Sequence, residues 1–339
     1  MKRPFLTRRQ FAVMAAGAAA TARYGLAPVA AQAPAKSGLT SQQVIDRVRE
    51  QAGAGWPRNA SGGLKAGSPD TPVRGIAATA MATMDVLRQA VKSGANLIFT
   101  YEPTYFGAND GAAPAPRAAA DGPPQSGGAQ AGGRGQAGGS GQGGGPPGGG
   151  RGPQGISLTD PVFIAKKTFI EQNGLVVYRV GDHWKAGEDL SLALAATMGW
   201  SANRVADDPL SYTIPAKPLG DVLAEIKQKL NIRGGMRAIG DRGTKIQRVA
   251  VLPGLRPLPD LLKYLPHSDL LLLGESRDWE GPEYASDADF AGLKKCYAQV
   301  GRVVSEDPGM MAFAKWMQTF VKEVPVQAIA ATDPFWRPA

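Results

Sequence analysis

The sequence is 339 residues long, with a formal net charge of +9, one cysteine and two histidines. A lone Cys296 excludes an intrachain disulfide and any cysteine-rich zinc or iron–sulfur site, and His183 and His267 alone cannot build a histidine-rich metal centre. Much of the positive charge sits in Lys2, Arg3, Arg8, Arg9 and Arg23; without them the chain carries +4 and shows no basic stripe, which argues against a nucleic-acid partner.

Residues 1–31 run from a basic head through Thr7-Arg8-Arg9-Gln10-Phe11 into an alanine-rich apolar stretch. This is similar to a twin-arginine export signal, with a cut expected after Ala31. The stretch is too short and too rich in alanine to span a bilayer well, and no other segment is apolar for about 18 residues. The expectation is an exported, periplasmic protein with no membrane association once the signal is removed.

The mature chain alternates helix and strand. Thr40 is placed to cap a helix carrying Val44, Ile45 and Val48, and Val73–Ala80 reads as a strand. Thr83 caps a second helix, with Val86, Leu87, Ala90 and Val91 on one face, ended by Gly94. Asn96–Thr100 reads as a buried strand leading into Tyr101-Glu102-Pro103, which completes a βαβ unit. The segment 107–155 holds 19 of the 44 glycines and no apolar periodicity, so it cannot offset the entropy of ordering itself and reads as a disordered Gly/Ala/Pro-rich insertion.

Asp160-Pro161 opens the next helix, with Phe163, Ile164 and Ile170, ending at Gly174. Leu175–Val180 is a strand running into Gly181-Asp182-His183-Trp184-Lys185, and a helix follows over Asp189–Met198. Strands are expected near Ser211–Ile214, Met236–Ile239, Gln247–Leu252, Asp269–Leu273 and Lys295–Val300, with helices over Leu219–Leu230 and Leu258–Leu265. Asp307-Pro308 reads as the start of the last helix, whose Phe313, Trp316, Met317, Phe320 and Val321 follow i, i+3, i+4 spacing. Val324–Ala330 closes as a strand. The fold class is α/β.

In α/β sheets, ligands and catalytic groups gather at the carboxyl ends of strands. Three such ends stand out: Tyr101-Glu102-Pro103, the loop Gly181–Lys185, and Gly301-Arg302-Val303-Val304-Ser305-Glu306. Here the chain resembles the Nif-three-like dinuclear metal-centre family, also known as GTP cyclohydrolase I type 2 homologues. The run VRGIAATAMATMDVLRQAVKSGANLIFTYEP, the strand VVYRV with its loop, and GRVVSEDPGM carry the resemblance, which spans most of 38–336 outside the insertion. It implies two related α/β lobes, with 38–106 opening the first and 156–336 supplying its remainder and the second. It also implies a homo-oligomer, typically a hexamer, and two divalent ions that activate a bridging water.

The family's ligand positions fall on Tyr101, Glu102, Lys185, Arg302 and Glu306. Only the two glutamates suit a divalent ion; Lys185 and Arg302 bring fixed positive charge instead. The expectation is that ion pairs replace the dinuclear centre, that no cofactor is held, and that Lys185 and Arg302 favour an anionic small molecule over hydrolysis. Two other readings stay open. Glu102, Glu306 and His183, helped by Asp182, could hold one Mn, Zn, Fe or Mg ion for a reduced hydrolase, or the chain could be an oligomeric scaffold without catalysis. Glu275 and Glu280, after the strand DLLLLG, form a further candidate acid/base pair. Ser305 has no histidine near it in sequence and no G-x-S-x-G surrounds it, so a serine hydrolase is not supported.

Overall fold

The computed structural model describes residues 38–53, 56, 62–107, 158–181, 186–331 and 333–335. The signal-like 1–31, all but Gly107 of the Gly-rich segment, and Asp182, His183 and Lys185 lie outside them. Among the described residues no helix is long and apolar enough to cross a membrane.

Helix α1 (Ser41–Ala52) begins with a reciprocal cap: the Thr40 hydroxyl accepts from the Gln43 amide while the Gln43 side chain accepts from the Thr40 amide. Its buried face is Val44, Ile45 and Val48. Strand β1 (Gly63–Ala66) follows, then β2 (Ile76–Thr79), α2 (Met84–Lys92) under its Thr83 cap, and β3 (Leu97–Thr100). Helix α3 (Pro161–Gln172) starts where Asp160 accepts from the amides of Val162 and Phe163, both at 2.9 Å, with proline in the first turn. Strand β4 (Val176–Arg179) completes this run.

A second run holds α4 (Ala186–Met198), β5 (Arg204–Val205), β6 (Asp208–Pro218), α5 (Leu219–Lys229), β7 (Arg237–Ile239), β8 (Lys245–Leu255), α6 (Leu258–Tyr264), β9 (Leu270–Glu275), α7 (Gly281–Phe290) and β10 (Cys296–Gln299). The chain closes with α8 (Arg302–Phe320) and β11 (Val326–Ala328). The strands form two sheets, one in the order β1-β4-β3-β2-β11 and the other β5-β6-β8-β9-β10-β7. In the first, β4, β3, β2 and β11 are parallel and β1 is an antiparallel edge. In the second, β8, β9 and β10 are parallel, flanked by antiparallel β6 and β7.

Parallel strands covered on both faces need apolar side chains throughout, and β2, β3 and β10 are buried at every position. Leu270–Leu273 of β9 are wholly buried, each worth about 2 kcal/mol relative to exposure. Helix α8 belongs to both sheets: Met310, Phe313, Ala314 and Met317 enter the core of the first, and its other contacts reach β8 and β9 of the second. Gly309 makes close packing against α4 feasible, since a Cβ there would overlap Leu190.

Two departures from the sequence reading matter. Helix α8 begins at Arg302, not at Asp307-Pro308, and Pro308 lies inside it. Gly301, at φ 102°, turns the chain directly from β10 into the helix, and the fold accepts one lost backbone donor at Pro308. Arg302 and Glu306 therefore stand one turn apart on one face. Helix α7 is the other: its buried positions are only Gly281, Ala285 and Ala288, small residues that give little apolar periodicity.

Candidate functional site

Three strand ends meet here. Past β3, the amides of Tyr101 and Glu102 continue the ladder to the carbonyls of Thr79 (3.1 Å) and Ala80 (2.8 Å), which fixes the Glu102 backbone and leaves its side chain 5 % exposed. At the end of β9, the Glu275 carbonyl accepts from the Arg256 amide at 2.9 Å. After β10, the Gly301 amide donates to the Gly274 carbonyl at 3.0 Å, which places Arg302 beside the end of β9. Glu102 thus comes from one sheet, Glu275 from the other, and Arg302 and Glu306 from the helix they share.

The Arg302 guanidinium is the hub. Its Nε donates to Glu102 Oε1 at 2.7 Å, Nη2 reaches the same oxygen at 2.5 Å, and Nε stands 3.4 Å from Glu306 Oε1. Nη1 is 3.8 Å from Glu275 Oε1, an ion-pair distance without a hydrogen bond. A cation in the first turn of a helix opposes the macrodipole, and an Arg placed before a Glu one turn on is the weaker order of that pair. Glu102, 200 residues away in sequence, outweighs both effects.

Glu306 sits on a floor without side chains. Gly254 adopts φ +81°, and a Cβ there would lie 3.1 Å from Glu306 Oε1; one on Gly274 would lie 2.5 Å from both the Gly254 carbonyl and Ser305 Oγ. Ser305 fastens this floor to α8: its hydroxyl accepts from the Gly254 amide at 2.9 Å and donates to the Arg302 carbonyl at 2.6 Å. Its proton and one of its two lone pairs are thereby used in structure.

The electrostatics follow from burial. Burial opposes the charge on Arg302, yet Glu102 and then Glu306 overcome it and hold the guanidinium above its ordinary value. Glu306, wholly buried, is raised well above the usual carboxylate range by burial first and by the Glu102 carboxylate second, with Arg302 opposing both. Its Oε2 receives no hydrogen bond in the described structure. A proton retained on Glu306 removes the repulsion between the two carboxylates. Next in the helix, burial pushes Asp307 up to about 7, although the amides of Ala331 and Ala80 donate to it.

The remaining sequence candidates fall as follows. Tyr101 is half-buried against the first core, with its carbonyl accepting from Arg179 Nε at 3.3 Å. Glu275 faces Arg302, whereas Glu280 pairs with Arg277 at 2.8 Å before α7, so the two carboxylates answer to different cations. Asp182, His183 and Lys185 lie outside the described residues. Gly254, Gly274 and the fastening role of Ser305 escaped the sequence reading. The glycines that follow the runs VLP and LLLL were the available signal, since a strand end stripped of side chains marks a close approach.

Two divalent ions do not fit this donor set. A guanidinium occupies the space between the carboxylates of Glu102 and Glu306, and divalent charge beside it would cost several kcal/mol through repulsion alone. Among the described residues no group of three or more His, Cys, Asp or Glu side chains converges to hold a metal ion.

No family model matches the sequence, and no curated protein does. Solved structures do match the fold. The Staphylococcus aureus protein SA1388 superposes with a TM-score of 0.59 at 15 % identity, over 88 % of this chain and 99 % of that one. A Bacillus cereus protein related to NIF3 gives 0.60 at 13 % identity over 88 % and 99 %. TTHA1606 from Thermus thermophilus gives 0.55 at 15 % identity over 87 % and 98 %. At such identities the likeness concerns architecture: this chain has the α/β fold of the NIF3-related proteins.

Proposed function

We propose that this chain is a binding protein on the NIF3-type fold with little or no hydrolase activity, in which Arg302 fills the seat of the divalent ions and an anionic small molecule is the ligand. One observation carries the reading. Arg302 spends Nε and Nη2 on buried carboxyls, while Nη1 keeps its N–H groups without a hydrogen-bonded acceptor among the described residues, on a side chain one-third exposed. A guanidinium with its inner edge neutralised and its outer edge open is suited to forked contact with a carboxylate or phosphate. Lys185, beyond the end of β4, is proposed as a second cation for the same ligand. Export through residues 1–31 and a homo-oligomer, a hexamer by resemblance, are further parts of the proposal.

The test is metal analysis of the purified protein, paired with thermal-shift titration by inorganic phosphate and acetate. The expected result is substoichiometric metal, no loss of Tm on chelation, and stabilisation by an anion that Arg302→Met abolishes. Stoichiometric Mn, Zn or Fe whose removal lowers Tm would establish instead the reduced metal site of Glu102, His183 and Glu306. Unliganded behaviour in both assays would leave the scaffold reading.

A further inference from the structure

Glu275 is built differently from the other carboxyls around Arg302. Its backbone is rigid: the carbonyl accepts from the Arg256 amide at 2.9 Å, and the residue pairs with Leu255 in the ladder between β8 and β9. Its side chain is 45 % exposed, against 5 % for Glu102 and 0 % for Glu306. Its carboxylate stands 3.8 Å from Nη1, close enough for attraction and too far for a hydrogen bond.

We infer that Glu275 is a built-in counter-anion, occupying the place on Arg302 Nη1 that an anionic ligand takes and swinging into solvent when the ligand binds. The inference rests on the reading of Arg302 as an anion receptor and adds what competes at that receptor. The exchange is favourable for two reasons. A free carboxylate or phosphate can close to ordinary charge-assisted hydrogen-bond distance on Nη1, a closer approach than Glu275 makes from its fixed backbone. Replacing one anion by another also leaves the charge of the site unchanged, so no buried charge is created. The ligand class that fits is a small monoanion, since Glu102 behind the guanidinium penalises further negative charge.

Isothermal titration of the full chain with acetate and with inorganic phosphate, in wild type, Glu275→Gln and Glu50→Gln, tests this. Glu50 is an exposed residue of α1, and its replacement changes the net charge equally. Glu275→Gln is expected to bind one or both ions about three- to five-fold tighter, the scale of losing a partly exposed competing ion pair, with Glu50→Gln unchanged. Tighter binding by Glu275→Gln when wild type binds neither ion supports the inference in its strongest form. Equal or weaker binding by Glu275→Gln, while wild type binds through Arg302, overturns the counter-anion and leaves the receptor standing. No binding by either folded protein overturns both.

Discussion

Replacing Arg302 with methionine keeps much of the side chain's bulk and deletes its charge, leaving Glu102 and Glu306 without a cation. Truncating one partner of a buried ion pair costs about 3–5 kcal/mol. Two features of this site reduce that figure. The Arg302 side chain is 33 % exposed, so water already screens part of the interaction, and Glu306 already favours its proton. A loss of about 2–3 kcal/mol near neutral pH is the expected cost.

The pH dependence follows from Glu306. Burial and the neighbouring Glu102 raise Glu306 in the folded state and Arg302 opposes them, so without the guanidinium the folded chain holds that one proton more tightly still, against an unfolded glutamate at its ordinary 4.5. The variant's stability is then fullest below that value and falls as pH rises towards the elevated folded value of Glu306, further than in wild type where Arg302 holds that value down, so its deficit widens upwards. Urea denaturation of both proteins at about pH 5 and about pH 8 measures the deficit at each. A variant as stable as wild type at the higher pH, or a deficit that does not change with pH, would refute the reasoning.

Other expectations are as direct. Asp307, raised from 3.8 to about 7, makes the fold lose stability as pH climbs from the lower value through the upper one, by at most about 4 kcal/mol. Asp307→Asn keeps an acceptor for the Ala331 and Ala80 amides and should flatten that slope in pH-dependent urea midpoints. Gly309→Ala forces a methyl into Leu190 and should cost about 1–3 kcal/mol in the same assay. Thr40→Ala removes the acceptor for the Gln43 amide and should cost about 1 kcal/mol, with hydrogen exchange quickening in the first turn of α1.

Most of the elements were legible in the sequence because their causes are local. The caps at Thr40, Thr83 and Asp160 need only a hydroxyl or carboxylate two or three residues before a free amide. The runs LIFT and LLLL announce buried parallel strands by composition alone. What failed to show locally was misread or missed. Asp307-Pro308 has the local signature of a helix start, because proline is common in the first turn, yet Pro308 lies inside α8. Alanine-faced α7 and edge strand β1, with one large apolar residue in Gly63–Ala66, carry too little periodicity to register.

At the site, the division is between residue type and meeting place. The amino-acid sequence alone settled that basic residues stand at positions where the resemblance implies metal ligands, and that Glu102 and Glu306 are the carboxyls left there. Tertiary structure decided that Arg302 reaches Glu102 across 200 residues, that Glu306 lies over Gly254, and that Glu275 faces Arg302 while Glu280 turns to Arg277. The reason is physical: caps and periodicity act over a few residues along the chain, whereas Coulomb attraction and burial act through space, and only the packing of two sheets around α8 sets those distances.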